Sequence, residues 1–321
     1  MVFKSPHLPL TCLTSFSSHH LFTIYLSIDI QIQLYIPMDV FRPGATAVIT
    51  GAASGIGFAA AQLCHRHGMD LVLLDINGEN LKKAAGILPS TPEIAVSTFV
   101  LDVSRREEWE EVKTKVLAKH PRGIDLLMLN AGRSCKPAEG KTAWQDARYF
   151  ETTFATNTFG YTNGPAAFLD CVIDGDDDQE KKRAVILTGS KQGITNPPGN
   201  PAYNASKSAV KSIAEQLSFD LHGRHPHVSV HLLVPGWVYT GMMTEHFPTK
   251  PAGCWTPEET VEFLVRKMQK GSFYIICPDN EVTEEMDAKR IAWACNDIVQ
   301  DRPALSRWRA DWKERAEAGC N

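Results

Sequence analysis

None of the eight cysteines (Cys12, Cys64, Cys135, Cys171, Cys254, Cys277, Cys295 and Cys320) forms a Cys-x-x-Cys pair with another. That scatter supports neither a structural zinc site nor a dense disulfide framework, and it points to a reduced, cytoplasmic chain. No stretch offers 18 uninterrupted apolar residues, so nothing in the sequence reads as a membrane span. Basic residues are not in excess either. The 33 Lys and Arg face 37 Asp and Glu, a formal charge of −4, and no basic domain is present to grip nucleic acid. No arginine precedes Arg42 and Lys4 is the one earlier lysine, which argues against a signal peptide and an arginine-rich presequence. With 43 % apolar and 22 % charged residues, disordered, collagen-like and coiled-coil chains are excluded. What remains is a globular chain of 321 residues, long enough for two domains or one large α/β domain.

The first 37 residues have a pattern of their own. Every even position from Phe22 to Ile36 is apolar, the alternation of a half-buried strand, but over a length unusual for one. We expect residues 1–37 to form an N-terminal extension outside the working fold, with Met38 as the start of the functional chain. From Thr46 onward the pattern changes. Short apolar, β-branched runs occur at Thr46–Thr50, Leu71–Asp75, Thr98–Asp102, Asp125–Asn130, Ala184–Ser190, Val228–Val234 and Phe273–Cys277. Near-continuous apolar runs mark strands covered on both faces, and helical stretches such as Asn204–Leu221 alternate with them. Residues 38–321 therefore read as a single α/β domain, a doubly wound, seven-stranded parallel sheet of Rossmann type with helices on both faces. The run Asp174–Arg183 reads as a solvated acidic loop. From about residue 278 a helical extension carries Trp293, Trp308 and Trp312, placed either over a cleft or against another subunit.

Thr46–Thr50 leads directly into Gly51-Ala-Ala-Ser54-Gly55-Ile56-Gly57 and then into a helical pattern. Glycines in this context allow a tight turn, close backbone approach to a pyrophosphate, and helix–strand packing without an intervening Cβ. The helix start adds free N–H groups and the positive end of a dipole. The second strand ends at Asp75, 18 residues after Gly57. A carboxylate there accepts the hydroxyls of an adenosine ribose and repels a 2′-phosphate. Ile76, Asn77 and Ser54 supply no compensating cation, so NAD is favoured over NADP. The plain alternative is that Asp75 caps the next helix.

Tyr203-Asn-Ala-Ser-Lys207 places a phenol and an ammonium on one helix face. A free tyrosine titrates near about pH 10, too high for acid–base work at neutrality, and a neighbouring cation together with the positive nicotinamide of an oxidised cofactor lowers it. Ser190 ends the fifth apolar run, at the sheet edge where such folds bind ligands. Taken singly, Tyr-x-x-x-Lys occurs by chance and a strand-ending Ser is an ordinary turn residue.

Together these motifs resemble the short-chain dehydrogenase/reductase family in its single-domain form, over roughly Gly44 to Cys277. The matching residues are Thr50–Gly57, Asp75, Asp102-Val103, Asn130-Ala131-Gly132, Asn157, Ser190, Tyr203/Lys207 and Pro235-Gly236-Trp-Val-Tyr-Thr240. The resemblance implies a tetrad: Tyr203 as acid or base, Lys207 lowering its pKa and gripping the nicotinamide ribose, Ser190 orienting the substrate oxygen, and Asn157 supporting a proton-relay water. It further implies that Asp102, with Val103 beside it, binds the adenine amino group. Asn130, Ala131 and Gly132 would line the cofactor, and Val238 and Thr240, after Pro235 and Gly236, would contact the nicotinamide carboxamide. A homo-oligomer is implied on the same ground. The Asn157–Ser190 interval is long for the family, and the acidic loop accounts for it.

The expected reaction is hydride transfer between NAD and a secondary alcohol or ketone, a small-molecule substrate. Rival readings are an NADP(H)-dependent carbonyl reductase and a non-catalytic dinucleotide-binding protein. Gln192, Trp237, Tyr239 and Met242 flank the expected pocket and suit an apolar or aromatic substrate. No metal is expected, since Pro226 and a strand onset make His222, His225, His227 and His231 a surface turn.

Overall fold

Seven strands grow from the seven apolar runs, and all lie parallel. They are β1 (Thr46–Thr50), β2 (Asp70–Asp75), β3 (Val96–Val100), β4 (Leu126–Leu129), β5 (Arg183–Thr188), β6 (Val228–Val234) and β7 (Tyr274–Ile276), in the order β3-β2-β1-β4-β5-β6-β7. The computed structural model describes residues 40–175, 181–244 and 247–320. The expectations for residues 1–37 and for Met38 lie outside the described residues.

The helices are α1 (Gly55–Arg66), α2 (Gly78–Ile87), α3 (Arg106–Lys119), α4 (Ala147–Phe154), α5 (Gly160–Ile173), α6 (Pro201–His222), α7 (Pro257–Gln269), α8 (Glu284–Val299) and α9 (Lys313–Cys320). Strand side chains alternate between faces, and the two helical layers follow from that. Ile49, Leu71, Leu73, Ile186 and Leu233 pack with Ala59 of α1 and Leu264 of α7. Val48, Val72, Leu127 and Leu232 pack on the other face with Trp109 of α3, Phe168 of α5 and Val210 of α6. Chain order reverses between β1 and β4, so a crevice opens beyond their carboxyl ends, where doubly wound folds bind ligands.

Three local expectations are corrected. β3 is an edge strand and is not covered on both faces, with Val100 60 % exposed. Ser190 does not end β5. The last ladder bond runs from the Gly189 N–H to the Leu233 carbonyl, after which the chain turns into the single helical turn Gln192–Thr195. Arg183 is no part of a solvated loop. It opens β5, is 1 % exposed, and donates to the carbonyls of Val172 and Ile173 with Asp125 3.8 Å away. Residues 176–180 of that run lie outside the described residues. The histidine turn is tied into the fold: His227 bonds the Ile173 carbonyl and His231 the Ser272 carbonyl. No group of three side chains suited to a metal is found among the described residues.

The C-terminal segment folds back upon α8. Trp293 donates its indole N–H to Ser306 Oγ (2.8 Å), Arg302 stacks on the Trp293 ring at 4.2 Å, and Gly319 packs against that ring. Trp293 is thus used within the tail itself. No described helix is long and apolar enough to cross a membrane.

Trp109 is the largest fully buried side chain, and its indole N–H reaches the Val103 carbonyl at 2.9 Å. Trp109→Ala is expected to lower unfolding free energy by about 3–5 kcal/mol, measured by urea denaturation.

Candidate active site

The Gly51–Gly57 turn is built by close approach. Gly51 and Gly55 adopt left-handed backbone (φ +65° and +55°). A Cβ on Gly57 would lie 2.3 Å from the Gly51 carbonyl oxygen, so no other residue fits there without displacing backbone. Ser54 caps α1 from extended backbone, its side chain is exposed, and it makes no capping hydrogen bond. The first turn of α1 contains no acidic residue, so its N–H groups and dipole face outward without a competing carboxylate. Ile56 is half-buried behind the turn. This cradle fits a pyrophosphate.

Asp75 both closes and fixes the adjoining wall. Its carboxylate accepts the N–H of Ala53 (3.1 Å) and of Asn77 (2.9 Å), joining the glycine turn to the start of α2. Asn77, not Asp75, caps α2 by accepting the Asn80 N–H at 3.0 Å. Asp102 holds Ser104 through one carboxylate oxygen and stands with Ile76, Arg133 and Glu151 around a cleft of about 330 Å³. Val103 points inward against Gly160, and its carbonyl serves Trp109 and Asn163.

Asn130 works as a brace. It donates to the Thr50 carbonyl and accepts from Thr188 Oγ1, while Thr50 Oγ1 accepts the N–H groups of Asn130 and Ala131. β1, β4 and β5 are thereby locked at the crevice, and Gly132 stays exposed beside it.

The catalytic candidates converge at the carboxyl edge of β5. Lys207, buried in α6, donates to the Thr188 carbonyl (2.8 Å) and to the Tyr161 hydroxyl (3.1 Å). Burial drives its pKa down to about 7. Tyr161 in turn donates to the Thr188 carbonyl at 3.0 Å. A Cβ on Gly132 would stand 3.5 Å from Lys207 Nζ and 3.4 Å from Asn157 Oδ1, so the glycine keeps this corner open. Asn157 lies in a π turn (Ala155–Phe159), a local widening common at functional sites. Its carboxamide accepts from the Arg133 N–H and donates to the Arg133 carbonyl and to Ser206 Oγ. Tyr203 hydrogen-bonds Ser190, so these two are together.

In the protein alone the Tyr203 phenol is raised, whereas the expected lowering concerns the phenol beside an oxidised cofactor. Burial pushes it above its ordinary value, and the bond to Ser190 pulls it only partly back. The same burial drives protons off Lys207, which weakens it as a source of positive charge. Tyr161 was missed by the motif reading, although it stands four residues after Asn157 on the same helical stretch.

The far wall is the segment Pro235–Thr240. Trp237 and Tyr239 pair through their backbones with Trp255, Val238 turns its side chain into the interior, and Thr240 lies over Gly55. Trp237 packs edge-on to Phe247 at 5.8 Å, and the Tyr239 hydroxyl donates to the Phe247 carbonyl. Gln192 and Met242 remain exposed.

The match to known proteins agrees with this geometry. The family model for short chain dehydrogenase matches residues 45–251. The 3-oxoacyl-[acyl-carrier-protein] reductase of Thermotoga maritima is 30 % identical over 246 residues, covering 72 % of this chain and 93 % of its own. A short chain dehydrogenase/reductase from Burkholderia phymatum, solved in complex with NAD, superposes with a TM-score of 0.69 at 25 % identity, covering 81 % of this chain and 96 % of its own. An alcohol dehydrogenase from Thermococcus sibiricus, complexed with 5-hydroxy-NADP, gives 0.58 at 29 % identity over 70 % of this chain and 90 % of its own. The chain belongs to the short-chain dehydrogenase/reductase family, oxidoreductases acting on CH–OH and C=O groups.

The buried lysine has a thermodynamic signature. The unfolded chain, with Lys207 near its ordinary 10.5, binds more protons than the folded chain with Lys207 near 7. Stability contributed by this site therefore rises with pH between those values. The stability of the wild type relative to Lys207→Met is expected to rise by about 1 kcal/mol or more per pH unit between pH 7 and 9, measured by urea denaturation.

Proposed function

We propose that the protein transfers a hydride between NAD(H) and a secondary alcohol or ketone, with Tyr203 as the general acid or base. The observation that carries this reading is the meeting of Ser190, Tyr203 and Lys207 at one sheet edge, beside a glycine cradle that a single Cβ would fill. Bound nicotinamide would supply the hydride acceptor or donor at its ring carbon. Gly51, Ser54, Gly55, Ile56 and Gly57 would hold the pyrophosphate, Asp75 the adenosine ribose, and Asp102 the adenine. Ala131 and Gly132 with Pro235, Gly236, Val238 and Thr240 would line the remainder.

In the proposed mechanism Ser190 donates to the substrate oxygen and fixes it against Tyr203 Oη. Tyr203 takes the hydroxyl proton in oxidation and returns it in reduction. Lys207 holds the nicotinamide ribose, and its positive charge together with that of the oxidised nicotinamide favours phenolate. Asn157 would support a relay water beside Lys207. The apolar surfaces of Trp237 and Met242 favour an apolar or aromatic substrate. Homo-oligomerisation remains part of this reading, as does a cytoplasmic setting, in keeping with seven free thiols among the described residues.

The test is turnover of a panel of secondary alcohols and ketones, followed by reduced-nicotinamide absorbance. Tyr203→Phe should abolish turnover by orders of magnitude while NADH binding, read by fluorescence, stays largely intact. Retained turnover in that variant refutes the role of Tyr203, whereas a wild type that binds NADH and turns over nothing in the panel favours a non-catalytic nucleotide-binding protein. Asp75→Ser should raise the NADP/NAD ratio of kcat/KM by roughly 10²-fold, the few kcal/mol of a removed like-charge clash. A wild type that prefers NADPH would instead support the carbonyl reductase reading.

A further inference from the structure

Lys191 immediately follows Ser190 but turns away from the crevice into the protein. Its Nζ lies 2.6 Å from Asp287 Oδ2 and 3.5 Å from Asp279 Oδ2, with the three side chains 17, 6 and 9 % exposed. Asp287 sits in the first turn of α8. Asp279 follows β7, where it accepts the N–H groups of Glu281 and Val282 through one oxygen and that of Trp237 (3.4 Å) through the other. The Lys191 backbone is held as firmly. Its N–H reaches the Pro235 carbonyl, and its carbonyl accepts from the Ile194 and Thr195 N–H groups and from Thr195 Oγ1.

Two glycines show how tightly this knot is drawn against the site. A Cβ on Gly236 would lie 2.9 Å from Asp279 Oδ2 and 3.0 Å from Lys191 Nζ, so the ion cluster presses under the Pro235-Gly236 turn. A Cβ on Gly193 would lie 2.5 Å from the Lys207 carbonyl carbon, so the turn leaving Ser190 rests on α6 at Lys207 itself. A buried cluster of two carboxylates and one ammonium is a poor way to gain stability, because desolvation offsets much of the attraction. It is a good way to fix a position, because only one geometry satisfies all three charges.

We propose that Asp279 and Asp287 act through Lys191 as positioning residues that set Ser190 against Tyr203, which makes helix α8 of the C-terminal extension part of the catalytic framework. The inference rests on the functional reading above. Neither carboxylate touches substrate. Their effect is to hold the Ser190 turn and the Pro235-Gly236 turn at a fixed separation, and a displacement of about 1 Å there is enough to cost up to ~10²-fold in rate.

The experiment uses the full chain, NAD(H) and the best substrate of the panel. Asp287→Asn is expected to lower kcat by about tenfold or more, with the NADH dissociation constant within about twofold of wild type and a cooperative thermal melt that shows the variant folded at the assay temperature. The double variant Lys191→Met/Asp287→Leu removes the pair as a unit, the change that leaves folding least disturbed, and should show the same loss of kcat. Lys191→Arg should recover part of the activity lost in Lys191→Met. A kcat within about twofold of wild type in either folded aspartate variant overturns the inference, as does a loss that merely follows nucleotide affinity. Tyr203→Phe in the same assay separates the two readings. If it is inactive and Asp287→Asn is not impaired, only the positioning role fails; if it turns over like wild type, the catalytic reading fails and this role with it.

Discussion

The site depends on an ammonium group buried without a carboxylate partner among the described residues. Lys207 is held by a main-chain carbonyl and a phenol, dipoles that orient it without cancelling its charge. Burying such a group costs free energy, and the protein meets that cost partly by letting the proton go near neutral pH. An ion pair in its place would keep the lysine charged and also neutralise it as an electrostatic tool. Held as it is, the side chain responds to whatever approaches from the Gly132 side, where no Cβ intervenes.

Much of the framework around it was legible from local pattern. The strands are short apolar runs, and their parallel, two-faced burial follows from the helices between them. The glycine turn and the Tyr203/Lys207 pair are each encoded within a few residues, and Asp75 stands where the second strand ends. Less legible were features that exist only between distant segments. Tyr161 meets Lys207 across 46 residues, and Lys191 meets Asp287 across 96. The spacing of Tyr161 from Asn157, about one helical turn, was the one local signal available, and the widened π turn between them blurred it.

The raised Tyr203 phenol has a related origin. A sequence shows which charges stand near each other along a helix, so it suggests that a cation lowers a phenol. It does not show how much water either group loses. Here desolvation acts on both, raising the phenol and lowering the amine, so the two drift toward a shared neutral state. Proton affinity at this site is then set less by the pair itself than by what binds beside it, which ties acid–base competence to the presence of ligand.

Asp75 shows the same economy in the wall opposite. Both oxygens of its carboxylate hold backbone N–H groups, one in the glycine turn and one at the entry to α2, and under the proposed function the same carboxylate would also meet the ribose. Under that proposal selectivity and loop geometry would share one side chain. Removing the negative charge also releases Ala53 within the turn that would seat the pyrophosphate, so a change that admits a 2′-phosphate loosens the cradle for any dinucleotide.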